Sequence, residues 1–151
     1  MNFESVDISK LSAIKSRFAS AKDDVTDSMI LLATFQGDAD DSVGQNSLCH
    51  IRALLAANRI VVEPYAVILD LKDLKYEWGD EMADVLNDAG SDPYEPGETI
   101  PVAIVTSSLN RKGLTSLLVD EMSEPPEDWL FNSFEKAVAS IQHRLKLKQD
   151  K

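Results

Sequence analysis

Four aspartates in this chain of 151 residues fall where carboxylate chemistry would need them. Asp38, Asp40 and Asp41 follow one apolar run, Met29–Phe35, and Asp70 stands at the end of a second, Tyr65–Leu71. If those runs are parallel strands of one sheet, the carboxylates share its carboxyl-terminal edge, where open α/β sheets hold ligands. Their hard oxygens suit Mg²⁺, and Asp70 could accept a phosphoryl group with Thr106 or Ser107 as a hydroxyl neighbour. Two features argue against that chemistry. No lysine stands around Trp129-Leu130-Phe131 to contact a phosphoryl group, and there is no strand–helix unit between Leu55 and Tyr65. Aspartates also end strands and cap turns through their own side chains, and that structural reading is preferred.

Other catalytic sets are scarce. His50 is adjacent to Cys49, but neighbouring positions on a helix point in different directions and form no dyad. His143 has no carboxylate partner that the sequence identifies, and Ser12-Ala13-Ile14-Lys15 matches SxxK without its companion motifs. CxxC, HExxH, GxSxG and a phosphate-cradling glycine loop do not occur. The expectation is a non-enzymatic protein without a cofactor or a metal.

Charge points elsewhere. Twenty-six acidic against fifteen basic residues give a net charge of −11. Such a field repels nucleic acid and anionic membranes and speeds encounter with a basic partner, although acidity also serves solubility. Glu77, Asp80, Glu81, Asp84 and Asp88 place acids four apart on one expected helix. Like charges so spaced cost about 0.2–0.5 kcal/mol per pair. The helix dipole offsets this for Asp80 and Glu81 but reaches Asp84 and Asp88 weakly. An acidic strip kept at that cost suits the Lys or Arg groups of a partner, a solvated face being the plain alternative. Trp78 lies beside the strip and Trp129 beside the acidic loop Ser123–Asp128. Each reads either as core or as an interface anchor, since Trp is enriched among residues that dominate binding energy. The expected partner-binding set is Glu77, Trp78, Asp80, Glu81, Asp84, Glu124, Glu127, Asp128 and Trp129.

The elements that must position these residues follow from apolar spacing. Leu11, Ile14, Phe18 and Ala21 suggest an amphipathic helix over 8–22, capped by Asp7. Met29–Phe35 reads as a buried strand, and Ser42–Gln45 as the capping box of a helix carrying Leu48, Ile51, Leu54 and Leu55. After the Tyr65–Leu71 strand, Met82, Val85, Leu86 and Ala89 line a helix with Gly90 at its C-terminal cap. Val102–Val105 and Trp129–Phe131 are later strands, with a helix at Leu114–Leu118 between them. Asn132 and Glu135 open a last helix bearing Val138, Ile141 and Leu145. Strands alternating with helices imply a single α/β domain, a mostly parallel central sheet of about four strands with helices packed on it. The lone Cys49 fits a reducing compartment, no apolar run spans a bilayer, and the N-terminus lacks a secretory pattern, so a cytoplasmic location is expected.

Five segments carry a family likeness. They are the first strand closed by Gly37 and acidic residues, Val67-Ile68-Leu69-Asp70-Leu71, Leu74 with Tyr76, Pro101–Val105, and Phe131–Ala137. From about Met29 to Leu145 this pattern resembles the STAS domain, the fold of anti-sigma factor antagonists. The resemblance implies a protein-binding regulator. In members of that family that switch by phosphorylation, an Asp-Ser-Ser-Gly-like turn presents a serine at a helix start. Counted from Asp70 without gaps, that turn falls on Trp78-Gly79-Asp80-Glu81, and Gly79 has no hydroxyl to phosphorylate. The domain limits expected are an N-terminal helical segment over 1–27, the STAS-like domain over 28–147 and a basic tail over 148–151. The expected function is a non-enzymatic acidic module that regulates or inhibits a basic partner protein by occlusion. It would act either as an immunity protein against a toxin or as an antagonist of a regulator. The alternative is a phospho-receiver-like or metal-dependent signalling domain centred on Asp70.

Overall fold

All five residues of Ala66–Asp70 (β3) are buried. Val67 and Leu69 enter one apolar cluster, while Ala66 and Ile68 enter a second on the opposite face. A strand whose alternate side chains meet two covered faces has no need of polar alternation. The computed structural model, which describes residues 1–40 and 44–151, places β3 at the centre of a six-stranded sheet. Preceding it are β1 (Lys15–Lys22), β2 (Met29–Asp38) and helix α1 (Gly44–Val62). Following it are β4 (Leu74–Lys75), α2 (Glu81–Gly90), β5 (Val102–Val105), α3 (Arg111–Ser116), β6 (Leu130–Phe131) and α4 (Phe134–Gln149). A π-helical segment, Leu117–Glu121, continues α3. Ser42 of the expected capping box and Asp41 of the expected acid cluster lie outside the described residues.

The main path of the sheet is β1-β2-β3-β5-β6, with β4 pairing β2 beyond the end of β3. Every pairing is parallel except β1 with β2. Helices α1, α2 and α3 cover the larger cluster through residues such as Leu55, Leu86 and Leu114. Helix α4 covers the other face with Ala137, Ile141 and Leu145. The expected α/β class and mostly parallel sheet are therefore what the chain forms. Two strands, β1 and β4, add to the expected set.

The N-terminal helix over 8–22 is corrected. Only a 3₁₀ turn forms at Ile8–Lys10, capped by Asp7, and Lys15–Lys22 is an antiparallel strand. Ile14 and Phe18 lie four apart, a spacing that fits both a helix of period 3.6 and a strand of period 2. The free edge of β2 decides between them: Phe18 packs edge-on against Phe35, their ring centres 5.6 Å apart. Residues 1–27 are thus no separate helical segment. The hairpin that joins them to β2 is tied to α4, because the buried Asp23 carboxylate accepts from Thr26 N at 2.8 Å and Gln142 Nε2 at 2.9 Å. Thr26 and Gln142 hold its pKa below the ordinary carboxylate value. Two smaller corrections concern α4. Its cap is Ser133, whose Oγ accepts from Lys136 N at 3.2 Å, rather than Asn132, and the helix runs through Lys148 into the expected tail. Among the described residues no helix is long and apolar enough to cross a membrane.

Candidate functional site

The segment that runs from the end of β3 through β4 and the turn after it to the start of α2, residues 71–80, is held from three sides. From β2, Gly37 N donates to Asp73 O at 3.1 Å and Ala39 N to Lys75 O at 2.9 Å. From the start of α3, the buried Asn110 donates through Nδ2 to both the Leu71 and Leu74 carbonyls. Gly113 supplies the third support: a Cβ there would stand 2.7 Å from the Glu77 carbonyl oxygen, so only glycine lets that backbone lie against α3. Within the turn, the buried Tyr76 donates its hydroxyl to Gly79 O at 2.6 Å, and Glu77 N donates to Asp40 Oδ2 at 2.7 Å. Burial, with Asp40 and Asp80 nearby, pushes the Tyr76 phenol well above its ordinary pKa and keeps it a donor. Gly79 sits at φ +123°, a conformation that strains any residue with a side chain.

Fixed this way, the turn presents Trp78 with 75% of its surface exposed. Glu77, Asp80 and Glu81 around it are exposed too. A hollow of about 140 Å³ beside Trp78 is lined by Glu77 and Asp80 and, from the π-helical segment, by Asp120 and Glu121. The last two were not among the expected site residues; they reach the turn only because α3 packs there. None of these acids pairs with a cation among the described residues. Asp84, by contrast, stands 3.8 Å from Arg52 Nη1 of α1, and Asp88 accepts from Arg52 Nε at 2.7 Å. Hydrogen bonding to Asp88 raises the Arg52 pKa. The expected acidic strip therefore divides, its farther half neutralised from within.

Glu124, Glu127, Asp128 and Trp129 do not join this turn. Trp129 is half-buried and packs on the larger cluster, while the three acids are exposed. Glu124, Asp128 and Trp129 line a separate cavity with Asn87 and Gly90, at the other end of α2.

Of the carboxylates expected for metal or phosphoryl chemistry, the described ones, Asp38, Asp40 and Asp70, are engaged locally. Asp70 Oδ2 lies 3.1 Å from Lys72 Nζ, Asp38 Oδ2 lies 3.9 Å from Lys75 Nζ, and Asp40 holds the Glu77 amide. Thr106 Oγ1 accepts from Arg111 Nε at 3.2 Å, and Ser107 Oγ donates to Lys72 O at 2.6 Å. No group of three His, Cys, Asp or Glu side chains is gathered for a metal ion among the described residues. His50 is buried with Nδ1 2.8 Å from Ile8 O, a tether for the N-terminal segment.

No family sequence model matches the chain, and no curated protein matches it by sequence. Its structure is similar to that of an anti-sigma factor antagonist from Mycobacterium paratuberculosis, with a TM-score of 0.51 at 13% identity over 85% of this chain and 95% of that one. At that identity the likeness is one of architecture. The chain therefore adopts a STAS-like, anti-sigma factor antagonist fold.

Proposed function

We propose that this chain is a non-enzymatic protein-binding module that regulates a basic partner protein by covering part of its surface. The supporting observation is Trp78, exposed on a braced turn among Glu77, Asp80, Glu81, Asp120 and Glu121, none of them paired with a cation among the described residues. A rigid aromatic anchor ringed by charge suits a binding hot spot, and unpaired carboxylates attract Lys and Arg. The partner class is a toxin held by an immunity-type inhibitor, or a regulator held by an antagonist. The fold shared with an anti-sigma factor antagonist supports the second. Gly79 offers no hydroxyl, so release by phosphorylation of that residue is not part of the mechanism. Asp84, tied to Arg52, has a lesser role than Asp80 and Glu81, and Glu124, Glu127 and Asp128 form an outlying contact.

The experiment is capture of the partner from source cells, followed by stopped-flow association across a salt series. Trp78→Ala is expected to weaken binding by about 2 kcal/mol, roughly thirtyfold in Kd, with little change in stability. Reversal of Glu77, Asp80 and Glu81 to Lys is expected to slow association most at low salt. An association rate that stays constant from low to high salt would contradict electrostatic steering.

A further inference from the structure

Arg144 of α4 is a cation with no anion. Its Nη2 donates to the Val102 carbonyl at 2.7 Å, its Nε is buried without an acceptor, and no described carboxylate pairs with it. Burial lowers its pKa, with Asp128 the one charge acting in the other direction. Charges removed from water are ordinarily paired. Arg59 also has an unpartnered Nε, but both of its Nη groups donate to carbonyls, of Asp88 and Ser91, at the end of α2, where the helix dipole favours a cation. Arg144, half-buried, has a single carbonyl and lines a cavity.

That space is the cavity at the far end of α2, of about 940 Å³. Its volume falls in the range of about 300–1,000 Å³ typical of small-molecule sites. Three kinds of surface line it. Arg144 and Lys148 project from the last turns of α4, Glu124 and Asp128 come from the loop before β6 with Glu121 at the end of the π-helical segment beside them, and Met122 and Trp129 supply apolar area. A simple carboxylate would meet Arg144 but leave the three acids unopposed. A simple amine would leave Arg144 as it is. A ligand carrying both charges and an apolar body answers all three surfaces.

We propose that this cavity binds a small zwitterion with an apolar body, of which apolar amino acids and dipeptides are the simplest members. The ligand carboxylate accepts from Arg144, its ammonium faces Asp128 and Glu124, and its side chain lies against Trp129 and Met122. This reading does not rest on the surface around Trp78, although Glu121 borders both hollows and Glu124 and Asp128 also stand in the outlying partner contact.

The test uses the full chain, ¹⁵N-labelled, with NMR of the Trp129 indole and Arg144 Nε–H signals. The probes are L-phenylalanine and the dipeptide Leu-Phe. N-acetyl-L-phenylalanine, lacking the ammonium, and phenethylamine, lacking the carboxylate, serve as controls. Saturable shifts of both signals are expected with the zwitterions, and roughly tenfold or weaker binding of each control. Arg144→Gln is expected to abolish binding of L-phenylalanine. That substitution also removes the bond to Val102, so Asp128→Asn, on an exposed side chain, decides the matter should the first variant fail to fold. It is expected to weaken the zwitterions roughly tenfold and leave the N-acetyl control unchanged. The proposal is overturned if no probe gives saturable shifts at millimolar concentration, if either control binds as well as L-phenylalanine, or if Asp128→Asn leaves the zwitterions unaffected.

Discussion

At the N-terminal end of α2, Glu77, Asp80 and Glu81 surround an exposed Trp78 and meet no described cation; one and two turns further on, Asp84 and Asp88 both meet Arg52. The two ends carry the same residue type at the same spacing. The same repulsion of about 0.2–0.5 kcal/mol per i,i+4 pair applies along the helix. At the far end the fold relieves it, because α1 packs against α2 with a guanidinium at the right height. At the near end it does not, and the helix dipole alone compensates. Acidic density in a sequence thus marks a partner surface only where the molecule's own cations have not already reached it.

The largest effect is expected at Asn110, whose side chain braces the near end and not the far one. Replacing it with Ala removes the donors to the Leu71 and Leu74 carbonyls in a buried place. Unfulfilled buried acceptors cost about 1–3 kcal/mol. Urea denaturation is expected to show that loss, and hydrogen exchange to show faster opening over 71–79 with α1 and the rest of α2 unchanged. Equal loosening of both ends would mean that α2 responds as one rigid unit and that its ends are not separately braced.

How far this division was legible in the sequence follows from which residues make it. The buried stripe Met82, Val85, Leu86 and Ala89 and the apolar run of β3 have clear periods, so α2 and the sheet centre were readable. β1 was misread because Ile14 and Phe18 satisfy two periods at once, and β4, two residues long, has no period to read. Gly113 did leave a signal: a glycine within a helix costs about 1 kcal/mol against alanine, which suggests a close approach there. The Arg52 pairs left none, since they join helices more than thirty residues apart in the chain and depend on how those helices cross.

Arg52→Ala attacks the far end. Its side chain is 42% exposed, so screening limits the loss to about 0.5–1 kcal/mol, the upper range for exposed pairs. Thermal melts at low salt are expected to show this decrease, and the gap between variant and parent is expected to shrink as salt is added. Partner binding through Trp78 should be retained. If Arg52→Ala instead strengthened binding of a basic partner, Asp84 and Asp88 would have to be counted as latent contacts freed by the change.

The smallest effect sharpens the near end and concerns Asp40, the carboxylate beneath the turn. Its Oδ2 accepts the Glu77 amide, while its Oδ1 is buried with no partner. Burial raises its pKa, the amide bonds of Glu77 and Trp78 working against that and Asp38 adding to it. The sign follows directly. A carboxyl whose folded pKa lies above its unfolded value, about 3.9, binds its proton more tightly when folded. Asp40 therefore favours the folded state increasingly as pH falls through the raised folded value toward about 3.9, and that contribution is absent above the folded pKa. Asp40→Asn keeps an acceptor for the Glu77 amide but cannot titrate. Urea midpoints of parent and variant, followed from neutral pH down to about pH 4, should converge or cross in the parent's favour as pH drops. The opposite trend, with the parent losing ground to the variant in acid, would show that Asp40 is better stabilised as an anion than its buried, unpartnered oxygen indicates. It would then belong with the paired acids of the far end.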